Sequence, residues 1–198
     1  MKLVLATQNP KKLKEMNEIL SHLGVEVVSE AELGVRIEVE ETGETFTDNA
    51  RLKATAGGQA TGLPAVADDS GLCVDALNGG PGVYSARFGG EGLDDKGRYT
   101  LLLEMLRGQT DRAAHFHTSI VCAFPNGDEL VCEGECPGTI AFAPMGEGGF
   151  GYDPVFFVPE LRKTFGQLTA EEKASVSHRG KALRAFAAAL DDYLKGNE

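Results

Sequence analysis

Short apolar runs and amphipathic stretches follow one another through the first part of the chain. Residues 2–6 form an apolar run, and residues 7–10, Thr-Gln-Asn-Pro, then supply a capping side chain and a proline suited to a first helical turn. Apolar residues recur three and four positions apart after this turn. They predict a helix over about 10–22 with a buried face of Leu13, Met16, Ile19, Leu20 and Leu23. The apolar run at 25–28 predicts a second strand.

A second helix is expected in the next segment of the chain. It begins near Thr45 and carries Asn49 and Lys53 four residues apart on one face. Residues 65–67 then predict a strand that ends in a polar turn at 68–71.

The second half of the chain predicts a long hairpin between glycine-rich loops. Alternating residues over 113–124 and 129–142 flank the turn Pro125-Asn126-Gly127. Loops are expected at 79–90 and 144–152, a helix at about 96–107 and a short strand at 155–158. A capping box at Thr169–Glu172 precedes a last amphipathic helix, which carries Leu183, Phe186, Leu190 and Leu194.

Length and composition favour a single domain over 1–198. With 198 residues and 42% hydrophobic content, the chain is long enough for one generous domain, which could be split into two lobes, and too short for two ordinary domains. It contains no apolar run of about eighteen residues, and its opening, MKLVLATQNPKK, turns polar too early for a signal-peptide core. We therefore expect a cytoplasmic protein that is not inserted in a membrane.

Charge and cysteine content narrow the function further. The formal net charge of −11 disfavours a nucleic-acid partner, because polyanion binders need a broad basic face. A small polyanion bound in a cleft by a few local cations and a metal ion is still compatible with this charge. No CxxC pair occurs, so ordinary buried thiols are predicted for Cys73, Cys122, Cys132 and Cys136.

The turn between the first strand and helix is a candidate phosphate site. Free backbone N–H groups and the helix dipole favour an anion at Thr7–Lys12, and Lys11, Lys12 and Lys14 form the densest positive cluster of an acidic chain. The alternative is a set of ordinary surface lysines on a first helix. The GxxxxGK[ST] pattern of a P-loop is absent.

Two acidic segments are candidate metal ligands. Asp68-Asp69-Ser70-Gly71 follows a strand, and Glu40 and Glu41 lie in an acidic loop. Magnesium prefers carboxylate oxygens together with substrate phosphates. The alternative is a solvated turn, because Asp, Ser and Gly are also favoured in turns for conformational reasons.

Aromatic and basic residues near the end of the chain are candidate nucleoside contacts. Residues 146–153, GEGGFGYD, place Phe150 and Tyr152 in a glycine-rich loop, where an aromatic ring could stack on a purine or could anchor the loop to the core. Lys173 and the run Ser177-His178-Arg179 offer donors that could contact a base or a phosphate, or could cap a helix.

In combination, these segments resemble the inosine/xanthosine triphosphate pyrophosphatase family, also described as Ham1-like or dITP/XTP pyrophosphatases. The similarity extends from Leu3 to about Leu190 and rests on five strings in a specific order: ATQNPKKLKE, EETGETFTDNARLKA, ADDSGLCVDALNGGPGVYSARF, GGFGYDPVFF and SHRGKAL.

The resemblance implies an α/β fold with a long mixed sheet flanked by helices, two lobes with a central active-site cleft, and a homodimer. It implies that Asp69 is the general base and that Glu40 and Asp69 bind Mg²⁺, or alternatively Mn²⁺. Lys53 is implied as a catalytic phosphate ligand. The remaining substrate contacts that it implies are Thr7, Gln8, Asn9, Pro10, Lys11, Lys12, Ser70, Phe150, Gly151, Tyr152, Asp153, Lys173, His178 and Arg179.

The reaction implied by the resemblance is hydrolysis of purine nucleoside triphosphates such as ITP, dITP and XTP to the monophosphate and pyrophosphate. A pocket that pairs with a 6-oxo purine would leave buried donors unpaired when adenine enters, so ATP should be rejected. The alternatives are a nucleotide-binding sensor without turnover and a pyrophosphatase for other modified nucleotides, such as pyrimidines, of the related septum-formation family.

Overall fold

The computed structural model describes residues 1–196. The strands are β1 (Lys2–Leu5), β2 (Glu26–Ser29), β3 (Ala65–Val74), β4 (Ala113–Ala123), β5 (Glu129–Ile140), β6 (Phe156–Val158) and β7 (Lys163–Thr164). The α-helices are α1 (Pro10–Leu20), α2 (Phe46–Thr61), α3 (Asp95–Met105), α4 (Ala170–Val176) and α5 (His178–Gly196).

The strands form one seven-stranded sheet in the order β2-β1-β3-β4-β5-β6-β7. Strand β1 is parallel to both β2 and β3, whereas β6 is antiparallel to β5 and β7. The sheet is therefore mixed, and the predicted α/β class with a long mixed sheet is confirmed.

The chain divides into two compact units. The first unit contains Met1–Asp69, Thr118–Gly134 and the chain from Lys181. Its main core joins α1 and α5 to one face of the strands, through residues that include Leu3, Leu5, Met16, Leu20, Val66, Ile120, Phe186 and Leu190. Alternate strand residues point to the opposite face, where Ala6, Ala67 and Val121 pack against Ala50 and Ala54 of α2.

The second unit contains Ser70–His117 and Glu135–Gly180 and has a core of its own. Aromatic rings dominate this core: the centroids of Phe116 and Phe156 are 4.6 Å apart, and those of Phe156 and Phe165 are 4.9 Å apart. Leu102 and Leu106 pack into the same cluster, Leu102 from α3 and Leu106 from the position just after it.

The polar turn predicted at 68–71 is wrong, because β3 runs without interruption from Ala65 to Val74. The two aspartates stay in the strand because other side chains meet their carboxylates. Lys12 pairs with Asp68, and Asn49 and Lys53 donate to Asp69.

Smaller differences concern the ends of elements. The helix expected over 10–22 consists of α1 and a short 3₁₀ turn at Ser21–Leu23. A 3₁₀ helix at Gly82–Arg87 lies inside the loop predicted at 79–90. The helix expected after the capping box is interrupted at Ser177, whose extended backbone separates α4 from α5.

The four cysteines are free thiols, as predicted. Cys122, Cys132 and Cys136 are buried, whereas Cys73 is only partly buried. Burial raises the pKa of the Cys73 thiol to about 11 and that of Cys122 to about 12, so both stay protonated at neutral pH. No helix within residues 1–196 is both long enough and apolar enough to cross a lipid bilayer.

Candidate active site

The turn from β1 into α1 presents the positive end of a helix dipole to an anion. Asn9 caps the helix, its side-chain oxygen accepting from the Lys11 amide at 3.0 Å, and Pro10 occupies the first turn. The Thr7 hydroxyl accepts from the Asn9 amide at 3.2 Å and fixes the approach to the helix. The first turn of α1 carries no acidic residue, so the positive end of the helix dipole is not neutralised locally.

Lys12 connects this turn to the neighbouring strand β3. Its ammonium lies 2.7 Å from the carboxylate of Asp68, a side chain that is only 1% exposed. An anion at the helix start would therefore meet a lysine that a buried carboxylate already holds in place.

Asp69 is the centre of a polar cluster between α2 and β3. The Asn49 side-chain amide donates to Asp69 at 3.3 Å, and Lys53 donates to Asp69 at 3.4 Å and to Glu41 at 2.8 Å. The Thr45/Asp48 capping box starts α2, and Asn49 and Lys53 follow one turn apart on the face that meets β3.

Asn49 also positions the acidic loop. Its side-chain oxygen accepts from the backbone N–H of Gly43 at 2.8 Å. A side chain at position 43 would place its Cβ 2.6 Å from that same oxygen, so the loop approaches α2 closely only because residue 43 is glycine.

The charged groups of this cluster shift one another's pKa values. Burial raises the pKa of Asp69, and Glu41 adds to the rise, whereas Lys53 and Asn49 oppose it. Burial alone would lower the pKa of Lys53, but Asp69 and Glu41 more than offset this effect and raise it. Lys53 is therefore a firmly charged cation beside a carboxylate that is easier to protonate than usual.

A cavity of about 240 Å³ opens beside these groups in the first unit. Its polar lining includes Thr7, Gln8, Lys12, Glu41, Lys53 and Asp68. Lysines and carboxylates in one cavity suit a phosphate chain together with a divalent cation.

The donors present fit a hard divalent cation. Glu41 and Asp69 each direct a carboxylate oxygen at the single ammonium of Lys53, so two acidic side chains already converge on one positive charge. Oxygen ligands of this kind are those preferred by Mg²⁺ and Mn²⁺. Glu40, by contrast, is exposed, and it is Glu41 that lines the cavity.

The second unit contains the other predicted substrate contacts. Phe150 is 71% exposed in its glycine-rich loop, and the Lys173 ammonium lies 4.6 Å from the centre of its ring. Asp153 is buried and accepts from the Phe150 amide at 3.0 Å and from the Lys173 ammonium at 2.5 Å. Gly149, at φ +78°, is required here because a Cβ would lie 1.9 Å from the Asp153 carboxylate.

Tyr152 anchors this loop to the core of the second unit. Its ring is buried, its hydroxyl donates to the carbonyl of Ser85 at 2.7 Å, and burial raises its pKa to about 12. A contact between Tyr152 and a substrate would therefore come from its backbone. The neighbouring Gly151 donates its amide to Asp95 of α3 at 2.8 Å.

The start of α5 carries the remaining predicted contacts. The His178 ring stacks on Phe116 with centroids 4.7 Å apart and planes 13° apart, and Arg179 is half-buried. Ser177 accepts from the Gly180 amide at 3.0 Å, which satisfies one donor of the first turn of α5. Ser70 lies on β3 and is half-buried.

The structure thus groups the predicted residues into two sets. The first unit holds Thr7–Lys12, Glu40, Lys53 and Asp69, and the second holds Ser70, Phe150–Asp153, Lys173, His178 and Arg179. Reasoning from the sequence included Glu41 in an acidic segment of candidate metal ligands, but the resemblance assigned the metal to Glu40. That reasoning gave Asn49 no role in the site and did not identify Asp95. The signal for Asn49 was its position one turn before Lys53 on α2.

The chain belongs to the Ham1 family, whose model matches residues 3–189. A relative from Exiguobacterium sp. named dITP/XTP pyrophosphatase is 50% identical over 196 residues, which cover 99% of this chain and 100% of the relative. A relative of the same name from Desulforamulus reducens is 54% identical over 186 residues, covering 93% of this chain and 92% of the relative.

Solved structures show the same fold. A HAM1 protein from Coxiella burnetii superposes with a TM-score of 0.93 at 43% identity and covers 97% of this chain and 99% of its own. A nucleoside-triphosphatase, also titled dITP/XTP pyrophosphatase, from Mycobacterium abscessus has a TM-score of 0.82 at 48% identity, with 96% and 99% covered.

Proposed function

We propose that this chain is a nucleoside-triphosphate pyrophosphatase that hydrolyses deaminated purine nucleotides such as ITP, dITP and XTP to the monophosphate and pyrophosphate. The observation that carries the proposal is the convergence of Lys53, Glu41 and Asp69 beside an anion-binding helix start. The names of the relatives supply the substrate class.

The triphosphate is bound at the start of α1. The positive end of α1 and the side chains of Thr7–Lys12 bind the phosphate oxygens, and Lys53 adds a positive charge from α2. Because the breaking bond lies between the α and β phosphates, negative charge grows on the departing pyrophosphate. Lys12 and Lys53 stabilise this charge without having to rearrange, since Asp68 and Asp69 already hold them.

Asp69 and one glutamate of the acidic loop would hold a divalent cation, Mg²⁺ or Mn²⁺. The family resemblance assigns that glutamate as Glu40, whereas the arrangement of side chains favours its neighbour Glu41. Such an ion, when bound, neutralises phosphate charge and lowers the pKa of a coordinated water.

Asp69 orients the attacking water and accepts its proton. Burial raises the pKa of this carboxylate, which makes it a better proton acceptor than an exposed aspartate. Asn49 fixes the carboxylate by donating to it, so the acceptor oxygen is held ready for the water.

The base is bound by residues of the second unit. Phe150 offers an exposed aromatic face for stacking on the base. The half-buried side chains of His178 and Arg179 form hydrogen bonds with the edge of the base. A 6-oxo purine pairs with donors of this set, whereas the 6-amino group of adenine leaves them unpaired. The proposal also includes a homodimer, as implied by the resemblance, and a location in the cytoplasm, as expected from the polar character of the chain.

The test is a pyrophosphate-release assay across ITP, XTP, dITP, GTP, ATP and UTP, with the wild type and Asp69→Asn. We expect turnover of the deaminated purines to exceed that of ATP and UTP, and to fall about 10²-fold or more in the variant. A folded variant with wild-type turnover would remove Asp69 from the mechanism. Equal turnover of UTP and ITP would overturn the substrate class, and binding without any turnover would indicate a sensor.

A further inference from the structure

A second group of potential metal ligands lies in the second unit, outside the site described above. His115 and His117 are two residues apart on β4, so their side chains project from the same face of the sheet. Glu135 lies on β5, the next strand in the sheet. This face is accessible: the side chains of His115, His117 and Glu135 are 36%, 15% and 58% exposed.

The three side chains converge on a small volume. His117 Nδ1 lies 3.0 Å from Glu135 Oε1, and His115 Nε2 lies 4.0 Å from the same oxygen. One ligand atom from each residue lies within 4.8 Å of the other two. Ligands about 2.0–2.2 Å from a shared zinc ion must lie within roughly 4 Å of one another, so only small side-chain movements are needed.

We infer that His115, His117 and Glu135 form a binding site for a divalent transition metal, with Zn²⁺ as the best match. Two imidazoles and one carboxylate are a ligand set used by zinc, and by non-haem iron where positions stay open. This set differs in kind from the oxygen-only donors beside Lys53, which suit magnesium. The two sites therefore select different metals.

Three protein ligands leave at least one position of the ion for water or another donor. The ion would also link β4 to β5, because two ligands come from one strand and the third from its neighbour. A metal that binds only the folded chain must raise its thermal stability, by an amount that grows with the logarithm of the metal concentration above the Kd. Stability is therefore a readout that does not depend on nucleotide hydrolysis.

The direct test is a calorimetric titration of the chelator-treated full chain with Zn²⁺, together with thermal unfolding at increasing Zn²⁺. We expect one zinc ion per chain and a rise in Tm. The variants His115→Ala, His117→Ala and Glu135→Gln should each weaken binding about tenfold or more. The control is His22→Ala, an exposed histidine of the first unit, which should bind zinc as the wild type does.

The absence of saturable Zn²⁺ binding below about 1 mM would overturn the site. Equal affinity in the wild type and all three variants would also overturn it. Titration with Co²⁺ separates histidine ligation from binding to the four cysteines, since only thiolate ligands produce an intense sulfur-to-metal charge-transfer band. Such a band would assign the ion to a cysteine and refute the proposal. Pyrophosphate release with Mg²⁺ checks that each variant is folded.

Discussion

The ammonium of Lys53 on α2 lies 3.4 Å from the carboxylate of Asp69 on β3, 16 residues further along the chain. Both side chains are largely buried, with 20% and 13% of their surface exposed. Removing one member of such a pair leaves the other as an uncompensated charge. Each of the two residues therefore has a structural effect on its partner that must be separated from its chemical role.

Replacing Lys53 with methionine should lower kcat for ITP by about 10²-fold, because the ammonium then no longer meets the charge that grows on the leaving pyrophosphate. Steady-state kinetics with ITP measure the effect. Lys14→Met is the matched control, since Lys14 lies on the exposed side of α1 and pairs only weakly with Glu18 at 3.8 Å. An unchanged kcat with a raised KM would show that Lys53 binds the ground state and the transition state equally.

Glu40 and Glu41 can be distinguished by parallel substitutions to glutamine. We expect Glu41→Gln to lower kcat at least about tenfold and to raise the Mg²⁺ concentration needed for half-maximal rate, because Glu41 lines the cavity and contacts Lys53. Glu40→Gln should change kcat and the half-maximal Mg²⁺ concentration less than about twofold, since substitution of an exposed side chain usually has little effect. The reverse order of effects would assign the metal to Glu40, as the family resemblance does.

The adjacent glutamates illustrate what the sequence could reveal. The acidic loop, the helix from Thr45 and the strand at 65–67 all follow from local patterns, and the structure contains each of them. Which glutamate faces Lys53 depends instead on the path of the loop. The Asn49 side chain fixes that path through a hydrogen bond to Gly43, a contact between residues six positions apart that no periodicity encodes.

The polar turn predicted at 68–71 failed for a related reason. Asp, Ser and Gly are favoured in turns when their side chains are solvated. Here Lys12 from α1 neutralises the buried Asp68, so the strand continues through residues that would otherwise end it. Tertiary contacts of this kind override local propensity and cannot be deduced from one segment alone.

Replacing Lys173 with methionine should destabilise the chain more at about pH 7.5 than at about pH 5. Burial raises the pKa of Asp153 above its ordinary value of 3.8, and Lys173 opposes this rise. Without the lysine, the folded-state pKa rises further. A carboxyl group whose pKa is higher in the folded protein than in the unfolded chain stabilises the fold while it is protonated. This contribution is fully present below the pKa of the unfolded chain and is lost as the pH rises through the pKa of the folded state. Tm measured at both pH values tests the prediction.

The control for Lys173 is Lys163→Met in the same unit. Lys163 pairs with Glu172 at 2.8 Å, and both side chains are substantially exposed. The pKa of Glu172 is lowered, chiefly by its hydrogen bond to Lys163, so the contribution of this pair is already present at both pH values. The decrease in Tm caused by Lys163→Met should therefore be small and similar at the two pH values. An equally pH-independent loss for Lys173→Met would mean that Asp153 does not titrate in this range.

The last prediction concerns how the base is recognised, and it compares Phe150→Ala with Arg179→Ala. Phe150 is exposed and offers only a π-face, which every base can use, so its loss should weaken all substrates by about 1–3 kcal/mol and leave the ITP/ATP ratio of kcat/KM nearly unchanged. Arg179 is half-buried and supplies directional donors. Its replacement should cost ITP and XTP more than ATP and reduce the ratio about tenfold or more. Equal losses for ITP and ATP would instead make Arg179 a phosphate ligand or a support for α5, and base recognition would then rest on backbone groups of the 148–153 loop.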